Sequence, residues 1–177
     1  MLTLVTHPAE ILNQVMPDFD FDNPVMDPKD LEEQMVKLMY SENGIGLAAP
    51  QVGVEARVFT IMTRNIPEVT EPFAVFNPVI LAASEETELE DEGCLSFPNL
   101  FFKVARPAKI IAEFQDRDRN VHRMEFTGID ARCFQHELDH LNGVCFISKV
   151  SRMKLELAMT KRAKIQKLKK RQKVQHA

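Results

Sequence analysis

The hydrophobic and polar positions between residues 128 and 143 follow the period of an α-helix. One apolar stripe recurs at helical spacing and consists of Ala131, Phe134, Leu138 and Leu141. A second stripe, on another side of the segment, consists of Ile129, Cys133, His136 and His140. A helix with so little freely solvated surface is usually central in its fold, and Gly128 and Gly143 are suitable boundary residues. The pattern predicts a central helix here.

Further helices are predicted on both sides of this one. Asp27-Pro28 is a good start, since a capping residue precedes a proline at the first position, and Gly44 marks the end. The apolar face of that helix is Leu31, Met35, Leu38 and Met39. Pro8 to Val15 predicts a short helix, residues 16–27 a loop, and the stretch from about Arg152 to the C-terminus a long helix.

The remaining segments have the alternating or β-rich character of strands. These are residues 57–62, 73–81, 86–90, 101–104, 110–114 and 121–126. Residues 116–120 predict a turn that makes the last two strands a hairpin. Several antiparallel strands with segregated helices predict an α+β fold. In it, antiparallel β-sheets pack around the central helix, and a helix closes the chain.

Composition narrows the class of protein. The 177 residues are enough for one domain with its own core. Three widely spaced cysteines are not a secreted disulfide framework, and the first residues lack the pattern of a signal peptide. No stretch approaches the ~20 apolar residues of a membrane span. We therefore expect a cytoplasmic protein without a membrane partner, or an organellar one after processing.

Charge divides the chain into two pieces. Residues 1–148 carry 11 Lys and Arg against 25 Asp and Glu, a balance of −14. Residues 149–177 carry 11 against 1, a balance of +10, and the two balances sum to the −4 of the whole chain. An acidic body over 1–148 and a basic helical tail over 149–177 are therefore predicted as separate functional pieces.

The central helix contains an H-E-x-x-H pattern. Residues four apart lie on the same face of a helix, so His136 and His140 can offer two imidazoles to one metal ion. Glu137 projects to a neighbouring direction, from which it reaches a water molecule at the metal rather than the metal itself. The alternative is that two ordinary histidines share a helix face by chance.

A catalytic site of this type needs a third protein ligand. Cys94 lies in a polar, glycine-flanked segment, and a thiolate suits iron or zinc beside two imidazoles. For Cys133 and Cys145 the favoured interpretation is a small buried hydrophobe. The segment Gly44–Gly53, rich in glycine and alanine, is either a tight turn or a place where a ligand approaches the backbone closely.

Three motifs together resemble the peptide deformylase family, whose members remove the formyl group from the N-terminal methionine of new polypeptides. They are G-I-G-L-A-A-P-Q at 44–51, E-G-C-L-S at 92–96 and Q-H-E-L-D-H at 135–140, and the resemblance covers residues 5–148. It implies that Cys94, His136 and His140 bind one divalent metal ion. Family members use Fe²⁺ natively, so the resemblance implies Fe²⁺ here, with Zn²⁺, Ni²⁺ or Co²⁺ able to occupy the site in the purified protein.

The resemblance also implies roles for other residues. Glu137 becomes the general base and then the acid, while the Gln51 side chain and the Leu95 N–H stabilise the oxyanion. Ile45, Ile129 and Cys133 are expected to line the methionine pocket. The Gly44, Gly46 and Gly93 backbones are expected to pair with an extended peptide. Glu92 and Asp139 are candidates to support the ligands, although a solvated acidic run is an alternative for Glu92.

Two segments depart from the family pattern. Residues 16–27 do not resemble the family's usual N-terminal pattern, and the second departure follows Ser96. Many bacterial members have an arginine after the second motif that contacts the peptide, and Phe101 stands near its place in this chain. Lys103 and Arg106 are the candidate replacements. This departure affects the preference for residues that follow the methionine.

The basic tail has two interpretations. It is either a solvated helix end or an element that binds an anionic surface, and the resemblance points to ribosomal RNA near the peptide exit tunnel. The expected partners are thus a formyl-methionyl nascent peptide and the ribosome, with no DNA.

Two other functions compete with this assignment. A general H-E-x-x-H endopeptidase would take its third ligand downstream, where only Glu156 and His176 are available. A catalytically inactive ribosome-binding relative would have lost Glu137, Gln51 or a ligand, and all five residues are present.

Overall fold

The computed structural model describes residues 1–175, and for residue 163 and residues 165–175 it describes the backbone alone. The helices are α1 (Pro28–Ser41), α2 (Gly128–Leu141) and α3 (Arg152–Gln175). The strands are β1 (Gly46–Ala48), β2 (Val58–Ile61), β3 (Phe73–Ala83), β4 (Thr87–Gly93), β5 (Phe101–Pro107), β6 (Lys109–Gln115) and β7 (Val121–Thr127). Short 3₁₀ helices span Glu10–Asn13, Ala49–Val52 and Phe146–Lys149.

Helix α1 begins as its sequence predicts. The Asp27 side chain accepts hydrogen bonds from the backbone N–H groups of Lys29 (3.0 Å) and Asp30 (3.2 Å), and Pro28 is the first helical residue. The helix ends at Ser41, three residues before the predicted Gly44. Its buried residues are Leu31, Met35 and Met39, so the predicted apolar face is confirmed.

The helix predicted over residues 8–15 is wrong in extent. Only the 3₁₀ turn Glu10–Asn13 forms, and Pro8 lies before it. The next residues are drawn into an extended conformation, because Val15 forms an isolated bridge with Asn142 and the Met16 N–H donates to the Leu141 carbonyl at 2.8 Å. These long-range bonds outweigh the local preference for a helix.

Two antiparallel sheets carry the strands. The larger has the order β1-β2-β3-β6-β7, and the smaller is the hairpin of β4 and β5. β6 and β7 pair in register from Lys109–Thr127 to Gln115–Val121, around the predicted turn. The segment Gly44–Gly53 is more than a tight turn, because residues 46–48 form the edge strand β1. A strand of three residues is too short to show alternation in the sequence.

Helix α2 lies at the centre of the fold. Eleven of its fourteen residues are buried, which confirms the prediction of a central helix. Its apolar stripe packs against the five-stranded sheet, where the Phe134 ring lies 5.0 Å from Phe59 and 4.9 Å from Phe126. The β4–β5 hairpin covers another side. The α+β architecture is therefore as predicted.

A separate apolar cluster lies beneath the β4–β5 hairpin. It contains Leu12, Phe97, Leu100, Val104, Cys145 and Phe146. Ala158 and Met159 of α3 pack against it, so the first turns of that helix contact the body of the protein. Helix α3 starts at the predicted Arg152. No helix in the described part of the chain has the length and apolar character needed to cross a membrane.

Candidate metal centre

Cys94 and the two helical histidines converge on one point. One ligand atom from each of Cys94, His136 and His140 lies within 4.8 Å of the other two. The two histidines lie on adjacent turns of α2 and on the same face, with their ring centroids 5.1 Å apart. Cys94 directly follows β4, and its Sγ lies 3.2 Å from His140 Nε2. The sequence prediction that these three residues meet agrees with this geometry.

The donor set fits a divalent metal ion. One thiolate and two imidazoles are a combination that zinc and iron accept, and three protein ligands leave room for a further one. Burial lowers the pKa of His140, which keeps its imidazole neutral as a ligand must be. Burial opposes charge on His136 as well. There the hydrogen bonds of Cys94 and Glu92 outweigh burial and raise its pKa to about 10, so a cation at this site competes with a proton.

Glu92 joins His136 to two arginines. Its carboxylate accepts from His136 Nδ1 at 3.1 Å, from Arg106 Nη2 at 2.9 Å and from Arg132 Nη1 at 2.7 Å. Burial by itself would raise the Glu92 pKa, but the bonds from His136 and Arg106 lower it to about 2. Glu92 is only 5 % exposed, so the alternative of a solvated acidic residue is wrong. The bond at Nδ1 orients His136 with its Nε2 free for a ligand.

Glu137 is buried beside the three converging residues. Burial raises the pKa of its carboxyl to about 7, and the carboxylates of Glu92 and Asp139 add to the rise. Its Oε2 atom has no hydrogen-bond partner among the described residues. β1 approaches it closely, because a Cβ on Gly46 would lie 2.6 Å from Cys133 Sγ and 2.8 Å from Glu137 Cγ. Only glycine fits at Gly46.

Gln51 is held from both sides. Its Oε1 accepts from the Ala48 N–H at 2.8 Å, and its Nε2 lies 3.2 Å from Ser96 Oγ and 3.4 Å from Cys94 Sγ. The N-terminal segment braces this arrangement. The Val5 N–H donates to the Gln51 carbonyl at 2.8 Å, and the Ser96 hydroxyl donates to the Val5 carbonyl at 2.7 Å.

A cleft of about 500 Å³ opens in front of these residues. All six residues predicted to bind substrate line it: Gly44, Ile45, Gly46, Gly93, Ile129 and Cys133. Gln51, Cys94, Leu95, His136 and Glu137 line it as well. Cys133 is buried, as the apolar interpretation expected, and its Sγ lies 3.5 Å from the Ile45 carbonyl.

The residues after the E-G-C-L-S motif, where the chain departs from the family pattern, lie only partly where the sequence suggested. Phe101 lines the cleft, and Lys103 is exposed on the same strand. The interpretation of Arg106 as a peptide contact is wrong. Its guanidinium is buried between Glu92 and Asp139, with Nη1 2.8 Å from the Asp139 carboxylate. Asp139 bonds Arg106 and Lys149 rather than a ligand histidine.

Some residues around the site were missed from the sequence. Arg132 bonds Glu92 and also the carbonyls of Val104 and Glu88, both at 2.8 Å, so it fastens the hairpin to α2. Its position one turn before His136 is a signal that could have revealed it. Ser96, which orients Gln51, lies in the E-G-C-L-S motif, but its contact with Gln51 spans 45 residues and has no local signal.

Among the residues that the structure describes, no downstream ligand of a general H-E-x-x-H endopeptidase joins the two histidines. Glu156 is exposed and pairs with Arg152 at 2.8 Å, away from the histidines. His176 lies outside the described residues. Cys94, upstream of the helix, occupies the third position instead.

Comparison with known proteins agrees with this geometry. The Polypeptide deformylase family model matches residues 1–156. A peptide deformylase of Mesorhizobium japonicum is 38 % identical over 165 residues, which cover 93 % of this chain and 92 % of that protein.

Solved structures give the same result. The peptide deformylase of Thermotoga maritima has a TM-score of 0.77 and 39 % identity, covering 85 % of this chain and 98 % of its own. A Met-Ala-Ser-bound class I type b peptide deformylase of Acinetobacter baumannii has a TM-score of 0.77 and 30 % identity, covering 84 % and 98 %. On the family match, the sequence identity and the shared structure, this chain belongs to the peptide deformylase family.

Proposed function

We propose that the chain is an active peptide deformylase, a hydrolase that removes the formyl group from the N-terminal formyl-methionine of nascent polypeptides and releases formate. The observation that carries this proposal is the convergence of Cys94, His136 and His140 beside a buried Glu137. The alternative of an inactive relative is disfavoured, because Gln51 also lies at the same point.

Cys94, His136 and His140 are proposed to hold one divalent metal ion. When bound, the ion would supply Lewis acidity, which polarises the formyl C=O bond and lowers the pKa of water so that a strong nucleophile is available near neutral pH. Fe²⁺ is the proposed native ion, with Zn²⁺, Ni²⁺ or Co²⁺ as replacements, since a thiolate and two imidazoles accept all of them. Glu92 orients His136 through Nδ1.

Glu137 is proposed to move the proton. Its pKa of about 7 allows both protonation states near neutral pH, so it can take a proton from the attacking water and give it to the leaving amine. An amine leaves an amide poorly unless it is protonated. The unpartnered Oε2 is free to make the bond that this transfer needs.

Gln51 and Leu95 are proposed to stabilise the negative charge that develops on the formyl oxygen. The Gln51 amide is pre-oriented by Ala48 and Ser96, so its Nε2 only has to exchange the long 3.4 Å contact with Cys94 Sγ for the developing charge. Leu95 follows the ligand Cys94 and lines the cleft, which supports its backbone N–H as the second donor. Losing one such donor typically costs ~3–4 kcal/mol of transition-state stabilisation.

The peptide is proposed to bind between two open sheet edges. β1 is the edge strand of the larger sheet, and β4 pairs only with β5 among the described strands, so Gly44–Gly46 and Gly93 have backbone groups to offer. Ile45, Ile129 and Cys133 form the wall for the methionine side chain. The Met-Ala-Ser complex of the Acinetobacter baumannii relative supports a peptide of this kind as the ligand.

Formate release tests the proposal directly. Protein purified without oxygen is analysed for metal and assayed with formyl-Met-Ala-Ser, beside a Cys94→Ala variant. We expect one metal ion per chain and formate release from the wild type, and neither from the variant. Metal without formate release would contradict the activity. Reconstitution of the apoprotein with Fe²⁺, Zn²⁺, Ni²⁺ and Co²⁺ in turn tests the ion, because Fe²⁺ should give the highest rate.

The basic tail is proposed to associate with the ribosome near the peptide exit tunnel, as a unit apart from the catalytic body of residues 1–148. Phosphate backbones attract clustered Lys and Arg. Lys161 and Lys164 are exposed, while the side chains of Lys167, Lys169, Lys170, Arg171 and Lys173 lie outside the described residues.

Deletion of residues 161–177 tests this role. The deletion keeps Ala158 and Met159, which pack on the body, and removes eight Lys and Arg. Full-length protein should co-sediment with ribosomes at low salt, and the deleted protein should not. Equal sedimentation of the two proteins would refute the association.

A further inference from the structure

The mouth of the cleft carries an exposed aromatic ring. Phe101 is 69 % exposed, although a phenylalanine on a hairpin is usually covered. Its ring lies against the backbone of Gly93, its partner in the β4–β5 register, and a Cβ on Gly93 would overlap it. The ring is therefore held next to Cys94 with one side open to the cleft.

The charged groups of the mouth are acidic. Glu42 and Asp91 are exposed and line the cleft. Arg132 is the one arginine or lysine in the cleft lining of the described part, and it is buried and bound to Glu92 and two carbonyls. Lys103 lies opposite Asp91 on the hairpin but outside the lining. A peptide leaving the cleft thus meets an apolar ring and two carboxylates.

We propose that Phe101 and this acidic rim select formyl-methionyl peptides by the residues after the methionine, favouring an apolar side chain and disfavouring an acidic one. The inference rests on the proposed deformylation. An extended peptide points successive side chains in opposite directions, so one of the two residues after methionine faces the ring. Covering an aromatic face by an apolar side chain is favourable, whereas a carboxylate near Glu42 and Asp91 is repelled.

Two matched substrate pairs test the two parts. Each of the two residues after methionine is varied in turn as leucine or glycine, and as glutamine or glutamate. At one position the wild type should prefer leucine by roughly 3- to 10-fold in kcat/KM. Glutamate should be roughly 2- to 5-fold poorer than its isostere glutamine at low salt, and the difference should shrink as salt is added.

Variants identify the residues responsible. Phe101→Ala should bring the leucine preference to within about twofold, while Phe101→Leu keeps most of it because apolar surface remains. Leu89→Ala is the matched control: Leu89 is 57 % exposed on the same hairpin face but does not line the cleft, so the preference should not change. The double variant Glu42→Gln, Asp91→Asn should remove the glutamine preference.

The outcomes are distinct. Equal use of leucine and glycine peptides by the wild type, or an unchanged ratio in Phe101→Ala, overturns the inference while leaving deformylation intact. Absence of formate from every peptide overturns the proposed function itself. The wild-type ratios need no variant, so the inference remains testable if Phe101→Ala does not fold.

Discussion

The two sides of helix α2 pack against different kinds of residue, apolar on one side and polar or charged on the other. Towards the five-stranded sheet, Phe134 and Leu138 pack among apolar residues such as Phe126. Towards the β4–β5 hairpin, the same helix presents Arg132, His136 and His140 to a buried carboxylate and a thiol. The first side gains stability from apolar burial, while the second spends desolvation energy to fix charged groups in place. A single helix thus separates what folds the protein from what is proposed to do its chemistry.

The largest effect is expected from Glu137→Gln in the candidate metal centre. The amide fills the same space but cannot accept and return a proton, so formate release should fall by roughly 10²- to 10⁴-fold. Metal content by elemental analysis and the free energy of unfolding by urea should stay close to wild type. Loss of metal together with activity would mean that Glu137 shapes the ligand site rather than moving the proton.

Glu92→Ala should damage both stability and metal binding. It leaves Arg106 and Arg132 buried without their carboxylate, which typically costs about 3–5 kcal/mol of unfolding free energy. It also frees His136, so metal affinity should fall about 10- to 100-fold. Urea unfolding and metal titration measure the two effects. Glu92→Gln, which keeps the shape but removes the charge, is the matched control. Losses close to those of Glu92→Ala would assign the effect to the charge, whereas wild-type stability and metal affinity in Glu92→Gln would argue against the role of charge.

Phe126→Ala should affect stability alone. Phe126 is fully buried and touches the apolar side of α2, so its truncation should cost about 3 kcal/mol in urea unfolding. Metal content and kcat of the folded variant should remain within about twofold of wild type. A specific loss of activity would break the separation between the two sides of the helix.

The smallest effect is expected far from α2, in the β6–β7 turn. Burial opposes ionisation of Asp116, but hydrogen bonds from His122 and Asn120 lower its pKa from 3.8 to about 2. Asp116→Asn should therefore cost less than about 1 kcal/mol at neutral pH. A lowered acid pKa stabilises above 3.8 and loses that effect as pH falls towards 2, so the two proteins should converge there. Urea midpoints across that range provide the check.

How far a feature could be predicted from the sequence depends on how many residues separate the groups that interact. Helix α2 and the pair His136 and His140 depend on spacing within one helix, which is visible in the chain. Cys94 was identified through its motif. The hydrogen bonds from Arg132 and Arg106 to Glu92 join residues that are 40 and 14 positions apart, respectively. No local sequence pattern encodes these contacts. The sequence therefore suggests Arg106 as a candidate peptide contact, whereas its guanidinium belongs to the buried network with Glu92 and Asp139.

Strand β1 and the extended residues 15–16 have no clear sequence signal for a related reason. Both are short, and both are fixed by partners distant in sequence, Ile61 for Gly46 and Asn142 for Val15. Tertiary contacts override local preference most easily in short elements.

The bonds of Val5 to Gln51 and Ser96 have a practical consequence for anyone who handles this protein. An affinity tag or fusion partner attached before Met1 pulls on a segment that ends, four residues later, at the carbonyl of Gln51. The opposite end of the chain offers α3, whose Ala158 and Met159 pack on the apolar cluster beneath the hairpin while Lys161 and Lys164 are exposed. Purification handles and labels therefore belong at the C-terminus when rates are to be compared.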